Sequence, residues 1–402
     1  MSSRLRRRLL FVVESITLAQ VTRLRVLAAG LDPERYEVHF ASSEFDPLLF
    51  AGTDFKRWPL YTIDREAALR ALSKGERLYE ARTLERYVEH ELQLFDAVKP
   101  DAVIGDFRLS LAVSARVAKI PCASLINAYW SPYAVRDGFP VPDHPIVRLV
   151  GVARAERYFP QAMPRVFAHF AAPINELRQR FGLPAYESLL HTLCFGDVVL
   201  YPDLPELCPI AGAPTSHMYL GAVLWAPSLP VPELPTRDDR PLVYVTVGSS
   251  GELGVLPEVI KGLRNLPLNA LLSTAGRTML GDLPSNIQVA PLLPGDVLCQ
   301  KARFVITNGG SSTGYQALAA GAPVLGIPSN LDQYLASAAI VKGGAGLQLR
   351  SGGLRAEHVR AAAVRLLDAR AETASAKAWA RAFAQVDCHE RFAAALSLLL
   401  AA

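Results

Sequence analysis

The sequence is short of the features that define several protein classes. Cysteine is scarce: Cys122, Cys194, Cys208, Cys299 and Cys388 are odd in number, far apart and without a C-x-x-C, which excludes a disulfide scaffold and a Cys-based zinc knuckle. No D-x-D occurs, no His/Cys/carboxylate set has ligand spacing, and His90-Glu91 is followed at position 94 by Leu rather than His. No metal site and no zinc protease are therefore expected. Charge of one sign is also lacking: 42 Lys+Arg against 38 Asp+Glu leaves a formal +4, too little to require nucleic acid. No apolar run reaches the roughly 18 residues of a membrane span. The basic run Arg4-Leu5-Arg6-Arg7-Arg8 before Leu9–Val13 imitates a secretory leader, but Glu14 cuts the apolar stretch short and no A-x-A site follows. A cytoplasmic protein is expected, with a weak membrane-surface contact of this basic lead-in as the lesser expectation.

What is present is enough apolar residue to build large cores: half of the 402 residues are hydrophobic and a fifth charged. Length alone suggests two to three domains. Leu9–Val13 reads as a buried strand, the next segment to Leu31 has helical spacing, and Tyr36–Ala41 is a second strand. The unit recurs at Ala102–Asp106, a helix from Ser110 to Ala118, and Cys122–Ile126, with Asp197–Leu200 closing this half. Prolines 227, 230, 232, 235 and 241 then mark a stiff linker over 226–241. Beyond it the alternation restarts at Leu242–Val247 and continues through Ala270–Ser273, Ile287–Ala290, Phe304–Thr307, Val324–Ile327 and Gly346–Leu349. Two doubly wound α/β domains facing a cleft are expected, one over 1–225 and one over 242–375, with C-terminal helices in 376–402 that can pack back on the first.

The densest site signal follows the strand Phe304–Thr307. Asn308-Gly309-Gly310-Ser311-Ser312-Thr313-Gly314 is a small-residue turn into a helix, where backbone N–H groups and the positive helix end can hold a phosphate. The bland alternative is that Thr313 and Gln316 merely form a capping box. It is neither a Walker loop nor G-x-G-x-x-G. Gly310-Ser311-Ser312-Thr313-Gly314 also matches G-x-S-x-G, so an α/β-hydrolase would use Ser312 with Asp332 or Asp368 and His358 or His389. Against that, little chain remains after residue 312 and no His-Gly oxyanion loop precedes it.

Together with Gln316-Ala317-Leu318-Ala319-Ala320-Gly321-Ala322-Pro323, Asp332-Gln333 and Gly344-Ala345-Gly346, this segment resembles the donor-binding signature of the UDP-glycosyltransferase superfamily with the GT-B fold, closest to bacterial macrolide and flavonoid enzymes. The match runs from about 241 to 375. The first half is similar only in outline, at Ala19–Arg23 and Gly105–Phe107. The resemblance implies a metal-independent hexosyltransferase without a cofactor, moving sugar with inversion from a UDP- or dTDP-sugar to a small-molecule acceptor. It implies Ser249, Ser250, Asn308, Gly309, Gly310, Ser311, Ser312 and Thr313 at the diphosphate, Leu292 and Leu293 at the base, Gln316 at the ribose, and Asp332 and Gln333 at the sugar hydroxyls.

Three positions depart from that pattern. Asn308 stands where a His is usual and carries no charge, and Gln316 stands where a Glu is usual. Gln20 occupies the place of the catalytic His, and an amide cannot take a proton at neutral pH. Asp106, the carboxylate that orients that His in the family, becomes the candidate base, unless it simply caps the following helix; Glu14 is the second candidate. An acceptor that is itself acidic, such as a phenol or carboxylic acid, would need little base. Asn127, Tyr129, Trp130 and Phe139 form an aromatic loop on which a flat acceptor could stack. The loss of the usual His and Glu groups also raises a non-catalytic helper that keeps the cleft without the chemistry.

Overall fold

The computed structural model describes residues 6–231, 239–278, 280–281 and 283–401. Of the Pro-rich stretch, Pro232, Pro235, Arg237 and Asp238 lie outside the described residues.

Two parallel sheets carry the chain. The first orders β3-β2-β1-β4-β5-β6-β7 from β1 (Arg7–Val13), β2 (Tyr36–Ser42), β3 (Lys56–Pro59), β4 (Ala102–Asp106), β5 (Cys122–Leu125), β6 (Val198–Tyr201) and β7 (His217–Tyr219). The second orders β10-β9-β8-β11-β12-β13 from β8 (Leu242–Thr246), β9 (Asn269–Ser273), β10 (Ile287–Ala290), β11 (Ala302–Thr307), β12 (Val324–Gly326) and β13 (Gly346–Gln348). Strands β1, β4, β8 and β11 are apolar runs because helices cover both of their faces, as a parallel sheet requires. Chain order reverses between β1 and β4 and between β8 and β11, so each sheet has its switch point at those carboxyl ends.

Edge strands β3 and β7 were invisible in the sequence. β3 is largely exposed and ends in proline, and β7 has three half-buried residues, so neither shows an apolar run. The terminal helices divide between the sheets. Helix Arg370–Phe383 packs on helix Ser311–Ala319, with Phe383 and Tyr315 rings 5.6 Å apart. Helix Cys388–Leu399 instead crosses to the first sheet, where Phe392 lies 6.1 Å from Phe11 and Leu396 and Leu399 join the same core.

Candidate active site

The turn after β11 explains its glycines. Gly309 has φ +78, and a side chain there would meet the Gln333 carbonyl at 3.1 Å. Thr307 Oγ1 accepts from Gly309 N–H at 2.7 Å and Asn308 Oδ1 from Gly310 N–H at 3.2 Å, which fixes the approach to helix Ser311–Ala319. Gly310 is the N-cap and has no side chain to close the helix. The first helical bond runs from Gly314 N–H to the Gly310 carbonyl, so the N–H groups of Ser311, Ser312 and Thr313 have no helical acceptor. The capping-box alternative is thereby corrected: Thr313 lies inside the first turn, and Gln316 Nε2 donates to the Trp225 carbonyl.

The hydrolase alternative is corrected as well. Ser312 sits in regular helix and is absent from the non-glycine residues of positive φ, whereas a nucleophile elbow needs a strained turn. His358 belongs to helix Ala356–Leu367, and the His389 ring presses on Gly30 of the first domain. Asp332 accepts from Tyr129 and Trp130 rather than from a histidine.

Five steps along the same helix from its N-terminus, Gln316 reaches a pocket of about 290 Å³ that it lines with Leu224, Trp225, Ala226, Asp296, Gln300, Ala319 and Ala320. Leu292 and Leu293 are not part of it: Leu293 is buried in the core and Leu292 points outward. Trp225 was missed because it precedes a proline stretch that reads only as linker.

The first domain faces this turn with a polar seam. Arg23 Nε and Nη2 donate to the two oxygens of Asp106, both at 2.9 Å, and Nη1 donates to Asn127 Oδ1 at 2.8 Å. Asp106 is fully buried, and burial pushes its carboxyl up to about 6 against the pull of Arg23. Asp106 therefore grips an arginine and does not cap the next helix. Asn127 Nδ2 and the Ala128 N–H both donate to Asp203, as does Tyr315 Oη of the second domain at 2.5 Å. Tyr129 Oη and Trp130 Nε1 donate to Asp332 Oδ1 at 3.2 and 2.8 Å, leaving Oδ2 unused by either. Asn127 and Tyr129 are thus buried hinges of the domain seam, and Phe139 packs edge-on against Phe167.

Other expected residues have different placements. Gln20 Oε1 accepts from Thr17 N–H at 2.9 Å and so closes the start of helix Leu18–Ala29. Ser249 Oγ accepts from Leu18 N–H across the seam at 3.1 Å. Gln333 joins two loops, its Oε1 taking Ser329 N–H and Oγ and its Nε2 donating to the Ser250 carbonyl. Glu14 lies in a closed cluster: Tyr87 Oη and Arg108 Nη1 donate to it, and Arg108 also grips Glu91 at 2.7 Å. Burial lifts Glu14 to about 7 despite Arg108. Arg23, Asn127 as a seam residue, Asp203 and Tyr315 were not foreseen; an arginine inside an apolar helix was the one available signal. A second clasp was equally hidden: Asp143 accepts from Arg350 Nη2, Ser351 Oγ and Gly352 N–H at 2.6 to 2.7 Å.

Two nucleotide-fold sheets meeting at their switch points, with an uncapped helix at the seam, define a GT-B glycosyltransferase. Residues 272–396 match the family described as erythromycin biosynthesis protein CIII-like, C-terminal domain. A "PGL/p-HBAD biosynthesis glycosyltransferase" of Mycobacterium tuberculosis is 43% identical over 94% of this chain and 89% of its own length. A "PGL/p-HBAD biosynthesis rhamnosyltransferase" of Mycobacterium bovis is 43% identical over 90% of this chain and 81% of its own. Among solved structures, spinosyn forosaminyltransferase SpnP aligns with TM-score 0.72 at 19% identity, over 99% of this chain and 100% of that one. Spinosyn rhamnosyltransferase SpnG complexed with thymidine diphosphate aligns with TM-score 0.68 at 18% identity, over 98% and 99%. The chain has the GT-B fold, belongs to the family of these mycobacterial glycosyltransferases and is a sugar-transferring enzyme. Among the described residues no helix is long and apolar enough to cross a membrane.

Proposed function

We propose that this enzyme transfers sugar, with inversion, from a dTDP- or UDP-sugar to a small acidic acceptor such as a phenol. The observation that carries the donor reading is the uncapped start of helix Ser311–Ala319 with Gln316 in line on the same helix. At about 1.5 Å rise per residue, Gln316 lies roughly 7 Å along the axis from Ser311, so it meets a different part of the donor from the groups at the helix start. The diphosphate then takes the free N–H groups and the hydroxyls of Ser312 and Thr313, and the nucleoside occupies the pocket beside Trp225. Asp332 Oδ2 accepts a sugar hydroxyl, while Gln333 holds the loop that presents it.

In the reaction the acceptor oxygen forms a bond to the anomeric carbon from the side opposite the leaving group. The bond to phosphate breaks with its electron pair on the diphosphate, which the helix end stabilises. Asp106 is closed off by Arg23 on both oxygens and Glu14 by its own cluster, so neither is poised to take the acceptor's proton. Arg23 fills the partner role beside Asp106 and leaves proton loss to solvent, which an acidic acceptor tolerates and an aliphatic alcohol does not.

The test has two readouts. Thermal shifts with UDP, dTDP, GDP and ADP should single out the pyrimidine diphosphates, because ligand bound only to the folded state stabilises it. Transfer assays with acceptors of graded acidity should favour phenols over alcohols, and proton NMR of the product should give the inverted anomer. Equal shifts for all four nucleotides, or equal rates with alcohols, would refute the respective part.

A further inference from the structure

Two arginines outside the site above hold adjoining loops of opposite domains. Arg65 opens helix Arg65–Lys74 of the first domain, and its Nε donates to the Ile16 carbonyl at 3.1 Å, in the turn after β1. Arg277 follows β9 in the second domain, and its Nη1 donates to the Gly251 carbonyl at 2.7 Å and the Gly248 carbonyl at 3.5 Å. The two anchoring loops touch, since Leu18 N–H donates to Ser249 Oγ. A side chain at Gly251 would lie 2.8 Å from Asn308 Cβ, so this loop rests directly on the turn that opens helix Ser311–Ala319.

The guanidinium groups are close enough that Arg65, after burial, is the next influence disfavouring the charge of Arg277. Of the neighbouring carboxylates, Asp64 Oδ1 accepts from Ala67 N–H, and Glu252, whose Oε1 accepts from Gly254 N–H, favours the charge of Arg277 less than Arg65 disfavours it. Among the described residues neither arginine forms an ion pair within 4 Å. Like charges held near each other across a seam, each tied by a backbone carbonyl and neither in an ion pair, offer an anion a place between them. The turn itself offers no charge to one, because position 308 is Asn.

We propose that Arg65 and Arg277 form a cationic clamp, one arm from each domain, for the terminal phosphate of the donor. The proposal rests on the donor reading given above. The clamp supplies positive charge where the leaving diphosphate gains its extra negative charge as the sugar–phosphate bond breaks. Because its arms come from different domains, it also makes donor binding draw the two domains together.

Calorimetric titration of the wild type, Arg65→Gln, Arg277→Gln, Arg277→Lys and the double Gln variant with dTDP, UDP, dTMP and UMP tests this. Arg65 is surface-exposed, so its substitution leaves the fold intact. Each Gln variant should bind diphosphates about tenfold or more weakly, as expected for loss of a charge-assisted contact, and bind monophosphates within about twofold of wild type. Arg277→Lys should recover part of the loss, since it restores charge without the planar fork. Turnover should fall with little change in the acceptor KM. If the variants match wild type on diphosphates, or lose mono- and diphosphates alike, the clamp is wrong while the donor site stands. If the wild type binds no nucleotide, the donor reading itself is wrong.

Discussion

The pair Arg23–Asp106 offers the sharpest test of how the seam is built. Arg23→Met keeps the length and apolar stem of the side chain but strands a fully buried carboxylate. Breaking a buried pair on one side costs about 3–5 kcal/mol. For a domain of this size each kcal/mol lowers the melting temperature by about 2–4 °C, so the first transition should fall by roughly 6–20 °C. The effect must depend on pH. Asp106 titrates near 6 in the folded chain, above its ordinary 3.8, so its contribution to stability is present below about pH 4 and lost as pH climbs through 6. Without Arg23 that folded value moves higher still, and the loss extends further upward. The variant should therefore lie closer to wild type at pH 5 than at pH 8, and Arg23→Met/Asp106→Leu should recover most of the deficit. Melts by circular dichroism across this range decide it. A deficit under 1 kcal/mol, or one that ignores pH, would show that the bidentate contact does not stabilise the first domain.

Three further outcomes follow from named contacts. Gly310→Asp places an N-cap carboxylate where the diphosphate belongs: stability should rise by a few tenths of a kcal/mol while affinity for dTDP falls at least about tenfold, read by melting and titration. Gln20→Ala removes the acceptor for Thr17 N–H and should cost about 1 kcal/mol with turnover largely preserved; a catalytic collapse would return Gln20 to the reaction. Asp143→Ala leaves Arg350, Ser351 and Gly352 without their common acceptor, and should cost about 2–5 kcal/mol of domain docking. Limited proteolysis and small-angle scattering would show the looser seam.

Much of the framework was legible because parallel strands covered on both faces are continuous apolar runs. Ala102–Asp106 and Ile287–Ala290 were read to the residue, and the others within one or two. The small-residue turn at 308–313 was also readable, since a positive φ at Gly309 with the Gln333 carbonyl close by leaves no room for bulk. Roles resting on side-chain partners were less so. Asp106 was expected as a base or a cap, yet Arg23 of helix Leu18–Ala29, 83 residues earlier, takes both of its oxygens. Asn127 and Tyr129 were expected at an acceptor; their part in the domain seam, through Asp203 with Tyr315 and through Asp332, was not legible.

The sequence by itself determined the two sheets, their covering helices and the open helix end, because these follow from periodicity and from the absence of side-chain bulk over a few residues. Only the tertiary structure decided which charges meet. Arg23 and Asp106, Tyr315 and Asp203, and Asp332 and Trp130 are separated by 83 to 202 residues and carry no local pattern. The first pair is fixed by how helix Leu18–Ala29 crosses β4 within the first domain and the other two by where the domains meet, and burial there makes an unpaired charge too costly to leave alone.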